Sequence, residues 1–243
     1  MFPLRDENPT ELTPYVTMAI IAINVVVWLT VEGMGASGAF VESLCAYGAI
    51  PGELTGAIAE GTRIDLGGYA CRVGGLGWQT VATSMFMHGG WFHLIGNMWF
   101  LWVFGNNIED SMGHGRFALF YVLTGAIAAA AHVVSDPSSA IPVVGASGAI
   151  SGIMGAYLVL YPRVRVQTLI ILIVFIRVIR VPAWVMLGYW FFLQVLSGAA
   201  TLGAGGGVAF WAHVGGFVAG LVLIKPFERR PPVEAKVAGR TLS

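Results

Sequence analysis

Six stretches of this chain are too poor in charge to have water as their solvent. Residues 15–31, 92–105, 117–135, 147–161, 182–198 and 207–224 hold no Asp or Glu. A bilayer's hydrocarbon core is about 30 Å thick, and roughly 20 apolar residues of helix cross it. Within lipid a spanning segment must satisfy its own backbone N–H and C=O groups, which an α-helix does. The chain is therefore read as an all-α membrane protein of six spanning helices. Composition agrees, since 56% of its 243 residues are hydrophobic and 11% are charged, against about a quarter charged in soluble domains. A formal net charge of zero argues against a nucleic-acid partner.

A seventh apolar stretch, "VQTLIILIVFI" at 166–176, has Arg163 and Arg165 before it and Arg177 and Arg180 after it. Eleven residues are too few to span, so this stretch is read as an interfacial or re-entrant connection. With the N-terminus placed in the cytoplasm, eleven of the thirteen Lys and Arg residues fall on the inner side. The positive-inside rule then makes both termini cytoplasmic. Residues 1–14 form a cytoplasmic N-terminal segment, 15–224 the membrane domain, and 225–243 a basic cytoplasmic tail. The Gly-rich segment 33–90 is a long first outer loop. No cleavable signal peptide is expected, because the first apolar run begins near Tyr15 after "RDENPTELTP" and is long enough to span. "GNNIEDSMGHGR" looks like a polar connection between helices, with a solvated His114.

In this topology spans two, four and six all enter from the outer side, so their first residues share a depth. Span two opens with "MHGGWFHLIGNMWF", where His93 and Asn97 are four apart and share a helix face. Span four opens at Ser147 within "VVGASGAISG", and span six carries His213 in "AFWAHVGGFVAG". Polar groups in hydrocarbon cost free energy unless paired or hydrated. Taken singly, Ser147 suits helix packing and His213 suits an interhelical hydrogen bond. Together they suit a nucleophile and its base. Gly148 and Gly152 are four apart, as are Gly216 and Gly220, and such small-residue faces let helices approach closely. From Ser147 to Tyr161 span four rises only about 22 Å, so the serine should sit below the outer surface in a water-accessible dip. His132, near the outer end of span three, is read as a hydrogen-bonding residue between helices.

With Gly145-Ala-Ser147-Gly148, Ala212-His213-Val-Gly-Gly216 and His93-x-x-x-Asn97 in this order, the chain resembles the rhomboid intramembrane serine proteases. The resemblance extends to six spans, the long first loop, a short central helix bearing the serine, and the opening "PLRDENPT". It implies that Ser147 is the nucleophile and His213 its general base. It makes His93 and Asn97 oxyanion-stabilising, His88 a supporting structural histidine, and Gly145 part of the serine motif. Gly148 and Gly216 support the dyad by packing. It further implies cleavage of transmembrane or membrane-proximal segments near the outer face, at small or helix-destabilising residues. No cofactor or metal is expected; the partners are transmembrane protein substrates and membrane lipids, and the setting is a prokaryotic plasma membrane. Two departures stand out. Some relatives stack an aromatic on the histidine four residues after the serine, where this chain has Ser151, so His213 would be oriented by packing around Gly215 and Gly216. Some also carry a Trp-Arg pair in the first loop, where this chain has Trp78-Gln79.

A metal site built from His88, His93 and His213 is disfavoured because no carboxylate or cysteine lies near them in the spans. A proton-coupled transporter would ordinarily use membrane carboxylates, and none is present. A non-catalytic rhomboid-like adaptor that binds transmembrane helices is the alternative; it should have lost the serine or the histidine, and neither is lost. Cys45 and Cys71 both fall in the outer loop, and spacing leaves open whether they pair.

Overall fold

The computed structural model describes residues 1–66, 68, 70–172, 175–201 and 209–229. The start of the sixth apolar stretch (207 and 208) and the basic tail from 230 onward lie outside the described residues.

The chain runs β1 (Phe2–Asp6), α1 (Tyr15–Thr30), α2 (Ser37–Tyr47), α3 (Pro51–Thr55), β2 (Arg63–Asp65), β3 (Ala70–Arg72) and α4 (Thr80–Thr83). Then follow α5 (Trp91–Met112), α6 (His114–Ser135), α7 (Ser147–Leu160), β4 (Arg165–Leu172), β5 (Phe175–Pro182), α8 (Ala183–Ala200) and α9 (Phe210–Phe227). By length and composition α6, α8 and α9 can each cross a membrane, while α1 and α7 are shorter apolar helices. α5 carries Glu109 and Asp110 in its last turn.

At the centre lies α7, packed against α5, α6, α8 and α9. Residues 148–157 of it are all buried. Trp28, Phe104, Phe117, Phe120, Tyr121, Tyr157 and Phe217 fill the core around it. Glycine makes the α7–α9 contact possible. A Cβ on Gly216 would land on the carbonyl oxygen of Gly148, one on Gly220 on that of Gly152, and one on Gly155 on that of Phe217. The two backbones touch where side chains would otherwise hold them apart.

The all-α reading needs correction at the end of the bundle remote from Ser147. The described residues of 166–176 are extended: 166–172 lie in β4 and 175–176 in β5, antiparallel strands paired from Arg165↔Pro182 to Leu172↔Phe175. β1, from the N-terminal segment, adds antiparallel to β4, giving the order β1-β4-β5. Too short to span and rich in β-branched residues, the segment satisfies its backbone through a ladder instead. Tyr157 Oη (2.6 Å) and Asn107 Nδ2 (2.8 Å) donate to Asp6 Oδ2, and Trp99 Nε1 donates to the Pro3 carbonyl at 2.6 Å. Burial lifts the Asp6 carboxyl to about 6 against the Tyr157 hydrogen bond.

"GNNIEDSMGHGR" is not a polar connection either. Helix α5 continues through it to Met112 and stops at Gly113, whose φ of 79° suits glycine. Glu109 is fully buried and accepts from Val16 N (2.9 Å), Thr17 N (2.8 Å) and Thr17 Oγ1 (2.7 Å). It thereby serves the unpaired N–H groups that open α1, where a negative charge is favoured. His114 is not solvated alone: its Nδ1 lies 2.6 Å from Glu109 Oε1. A charged residue inside a helix end is invisible to a hydropathy reading that stops at the first polar residue.

The first loop folds on the Ser147 end as α2, α3, the hairpin β2–β3 and α4. A Cys45–Cys71 disulfide links α2 to β3, with Cα atoms 5.5 Å apart, which settles the pairing that spacing left open. Just after α1, buried Glu32 accepts the His88 backbone N–H on Oε1 at 2.8 Å, and its Oε2 has no partner among the described residues. Burial raises the Glu32 carboxyl from 4.5 to about 7, opposed by that hydrogen bond, so the neutral acid suits the site.

Two outcomes follow for stability in detergent. Gly220→Ala should lower Tm by an amount equivalent to about 1–3 kcal/mol of overpacking. Gly188→Ala, where a Cβ meets nothing within 4 Å, should leave Tm unchanged or slightly higher. For Glu32 the folded state holds the proton more tightly than the unfolded chain. Its contribution is full below pH 4.5 and is lost as pH rises through about 7. Glu32→Gln keeps an acceptor for His88, so its Tm relative to the parent should climb over that window; a constant difference would refute this.

Candidate active site

Gly145 sets the backbone that delivers the serine. Its φ of +132° is one that side chains rarely adopt, and its N–H donates to the Ser84 carbonyl at 2.9 Å. Two residues later Ser147 opens α7, whose N-terminus no side chain caps. At about 21 Å, α7 is shorter than a bilayer's hydrocarbon. Above its first turn is a cavity of about 1010 Å³ lined by Ser147, His93, Asn97, His132, Trp190 and His213 among others.

His213 lies in the first turn of α9 and faces Ser147 because Gly216 lets α9 rest on Gly148. Its Nε2 is 2.8 Å from Ser147 Oγ. Its Nδ1 is 2.8 Å from Gln194 Oε1, on α8. An amide oxygen only accepts, so Nδ1 carries the proton and Nε2 presents a lone pair to the serine hydroxyl. Gly215 and Gly216 pack α9 on α6 and α7, but packing is not all that orients the imidazole. Trp190, also on α8, sets its ring 5.8 Å from that of His213, while Ser151 turns its hydroxyl back to the Ser147 carbonyl at 2.6 Å.

His93 has the opposite tautomer. Its Nδ1 accepts the Gly89 backbone N–H at 3.1 Å, which leaves the proton on Nε2. That edge of the ring overhangs Gly145. A Cβ there would come within 2.9 Å of His93 Nε2 and 3.3 Å of Ser147 Oγ. One turn along, Asn97 is 7% exposed and its buried Nδ2 has no partner among the described residues. Both donors line the cavity that Ser147 lines. His88 is fully buried, and neither ring nitrogen has a partner among the described residues. It meets His93 edge-to-face with centroids 5.2 Å apart. Burial, then the neighbouring His93, pushes it down to about 3.

Among the described residues no hydrogen bond joins the His132 ring to another helix: it lines the cavity, with Nδ1 unpartnered. Among the described residues no three His, Cys, Asp or Glu side chains stand close enough to hold a metal ion. Glu109 is sixteen residues along α5 from His93, about 24 Å at ~1.5 Å per residue, and takes no part. Gln194 escaped the sequence reading, although one signal could have found it. It is the one amide in "PAWVMLGYWFFLQVLSG", and the cost of a polar group in hydrocarbon applies to it as to Ser147.

Residues 76–230 match the family model described as the Rhomboid domain. The chain is 33% identical over 145 residues (60% of this chain, 24% of the relative) to rhomboid protease GluP of Bacillus subtilis (strain 168). It is 34% identical over 96 residues (40% and 48%) to the putative rhomboid protease YdcA of the same organism. It is 28% identical over 171 residues (66% and 46%) to the mitochondrial Rhomboid protein 1 of Saccharomyces cerevisiae (strain ATCC 204508 / S288c). The chain spans a quarter to a half of the length of these relatives. With apolar helices of spanning length and a family model covering well over half of the chain, this is an integral membrane protein that belongs to the rhomboid family.

Proposed function

We propose that the protein is an intramembrane serine endopeptidase that cleaves transmembrane or membrane-proximal segments of other proteins with a Ser147–His213 dyad. The observation that carries this reading is the 2.8 Å approach of Ser147 Oγ to the unprotonated Nε2 of His213, beside a cavity that holds two unspent donors. His213 takes the hydroxyl proton as Oγ attacks the scissile carbonyl. The oxyanion that forms accepts from His93 Nε2–H, Asn97 Nδ2–H and the Ser147 backbone N–H. As the tetrahedral intermediate collapses, His213 hands the proton to the departing amine and an acyl-serine remains. Water from the cavity, deprotonated by His213, then hydrolyses the ester and restores the hydroxyl.

Six spans are proposed, on α1, α5, α6, α7, α8 and α9. The sheet β1-β4-β5 and both termini then lie on the cytoplasmic side and Ser147 opens toward the outer side of a prokaryotic plasma membrane. The domain limits 1–14, 15–224 and 225–243 follow from that topology. It is supported by the placement of basic residues and by the separation of Asp6 from Ser147 along α7. A substrate helix hides its carbonyls in its own hydrogen bonds. Segments with small or helix-destabilising residues near the outer face would unwind into the cavity most readily.

Ser147→Ala and His213→Ala should each abolish cleavage of a model transmembrane substrate and labelling by a fluorophosphonate, with Tm retained. Undiminished turnover in either would remove the dyad; a helix-binding adaptor would bind substrate yet take no label even as the parent protein. Asn97→Ala should lower kcat by up to the ~10²-fold that one oxyanion donor is worth, because other donors remain.

A further inference from the structure

We infer that Gln194 is the positioning residue of the dyad, a neutral third member that selects the tautomer of His213 and holds its ring toward Ser147. This rests on the dyad reading and adds to it the group that makes His213 a base. The geometry is a relay across three helices: Gln194 Oε1 on α8, the imidazole on α9, and Ser147 Oγ on α7, with both links at 2.8 Å.

The chemistry depends on which nitrogen carries the proton. With the amide oxygen accepting at Nδ1, the lone pair at Nε2 faces the hydroxyl. Without that acceptor the proton can reside on either nitrogen, and the Nε2–H form cannot take a proton from serine. During attack the ring becomes doubly protonated, and the same carbonyl continues to accept from Nδ1–H, so one hydrogen bond serves both states. The charged and titratable neighbours do not supply this hold. His93 on α5 and His132 on α6 face His213, and Asp136 stands by His132, while no described carboxylate bonds the imidazole. An amide orients the ring without adding a charge in low dielectric, where an ionised carboxylate is costly.

Gln194→Met keeps length and removes the acceptor; Gln194→Glu keeps the acceptor and adds a charge. In the full chain in detergent, Gln194→Met should lower kcat on a transmembrane model substrate by about 5- to 150-fold, the range for a buried donor stripped of its partner. KM should stay within about twofold, and Tm should fall by no more than the same stripped donor costs. Gln194→Glu should recover most of kcat above neutral pH. A carboxylate beside the imidazole favours its charged form, so the acidic limb of kcat/KM should move to higher pH by about one unit or more. Parental kcat in Gln194→Met, or an unshifted acidic limb in Gln194→Glu, would overturn the assignment, and the second reading stands even if the Met variant fails to fold. Turnover surviving in Ser147→Ala would instead reject the dyad itself, so the two failures are distinct.

Discussion

The contact between α7 and α9 is the constraint on which the rest of the structure depends. Two helices normally stand 8–10 Å apart because side chains separate them. Here Gly148, Gly152 and Gly155 meet Gly216, Gly220 and the Phe217 backbone with no side chain between. The hydrogen bond from Ser147 to His213 exists because the backbones that carry them touch. Packing and chemistry are therefore one requirement, since any side chain that pushes α9 outward also withdraws the base from the nucleophile.

Around that contact the electrostatics follow from paired tautomers. Gly89 occupies Nδ1 of His93 as donor, and Gln194 occupies Nδ1 of His213 as acceptor. The two imidazoles therefore present opposite faces to Ser147, one a proton donor and the other a lone pair. Both are neutral devices, which matters where a bare charge would be heavily penalised. Two of the three imidazole partners are supplied by elements outside the α7–α9 pair, so the site is assembled by the whole bundle.

The remote end of the bundle uses charge differently. Glu109 satisfies the opening N–H groups of α1, and Asp6 collects hydroxyl and amide donors from α7 and α5. Asp6 ties the N-terminal strand to the central helix and, through β4 and β5, to the chain that leads into α8, while buried Glu109 ties α1 to α5. Gln194 is thus carried by a helix anchored at the far end and meets His213 at the near one.

Periodicity and hydropathy by themselves determined where most helices lie, that α7 is short, and which serine, histidines and asparagine fall in the opening turns of three of them. Apolar length and residue spacing are local properties of a chain. The pairing of β4 with β5, the extension of α5 to Met112, the partners of Glu109 and the hold of Gln194 on His213 were decided only by the tertiary structure. Each is a question of where a polar group finds its partner. The answer lies on an element distant in sequence: nineteen residues for Gln194 and His213, ninety-two for Thr17 and Glu109. A hydrogen bond of 2.8 Å is fixed by the meeting of two surfaces, and neither segment alone contains it.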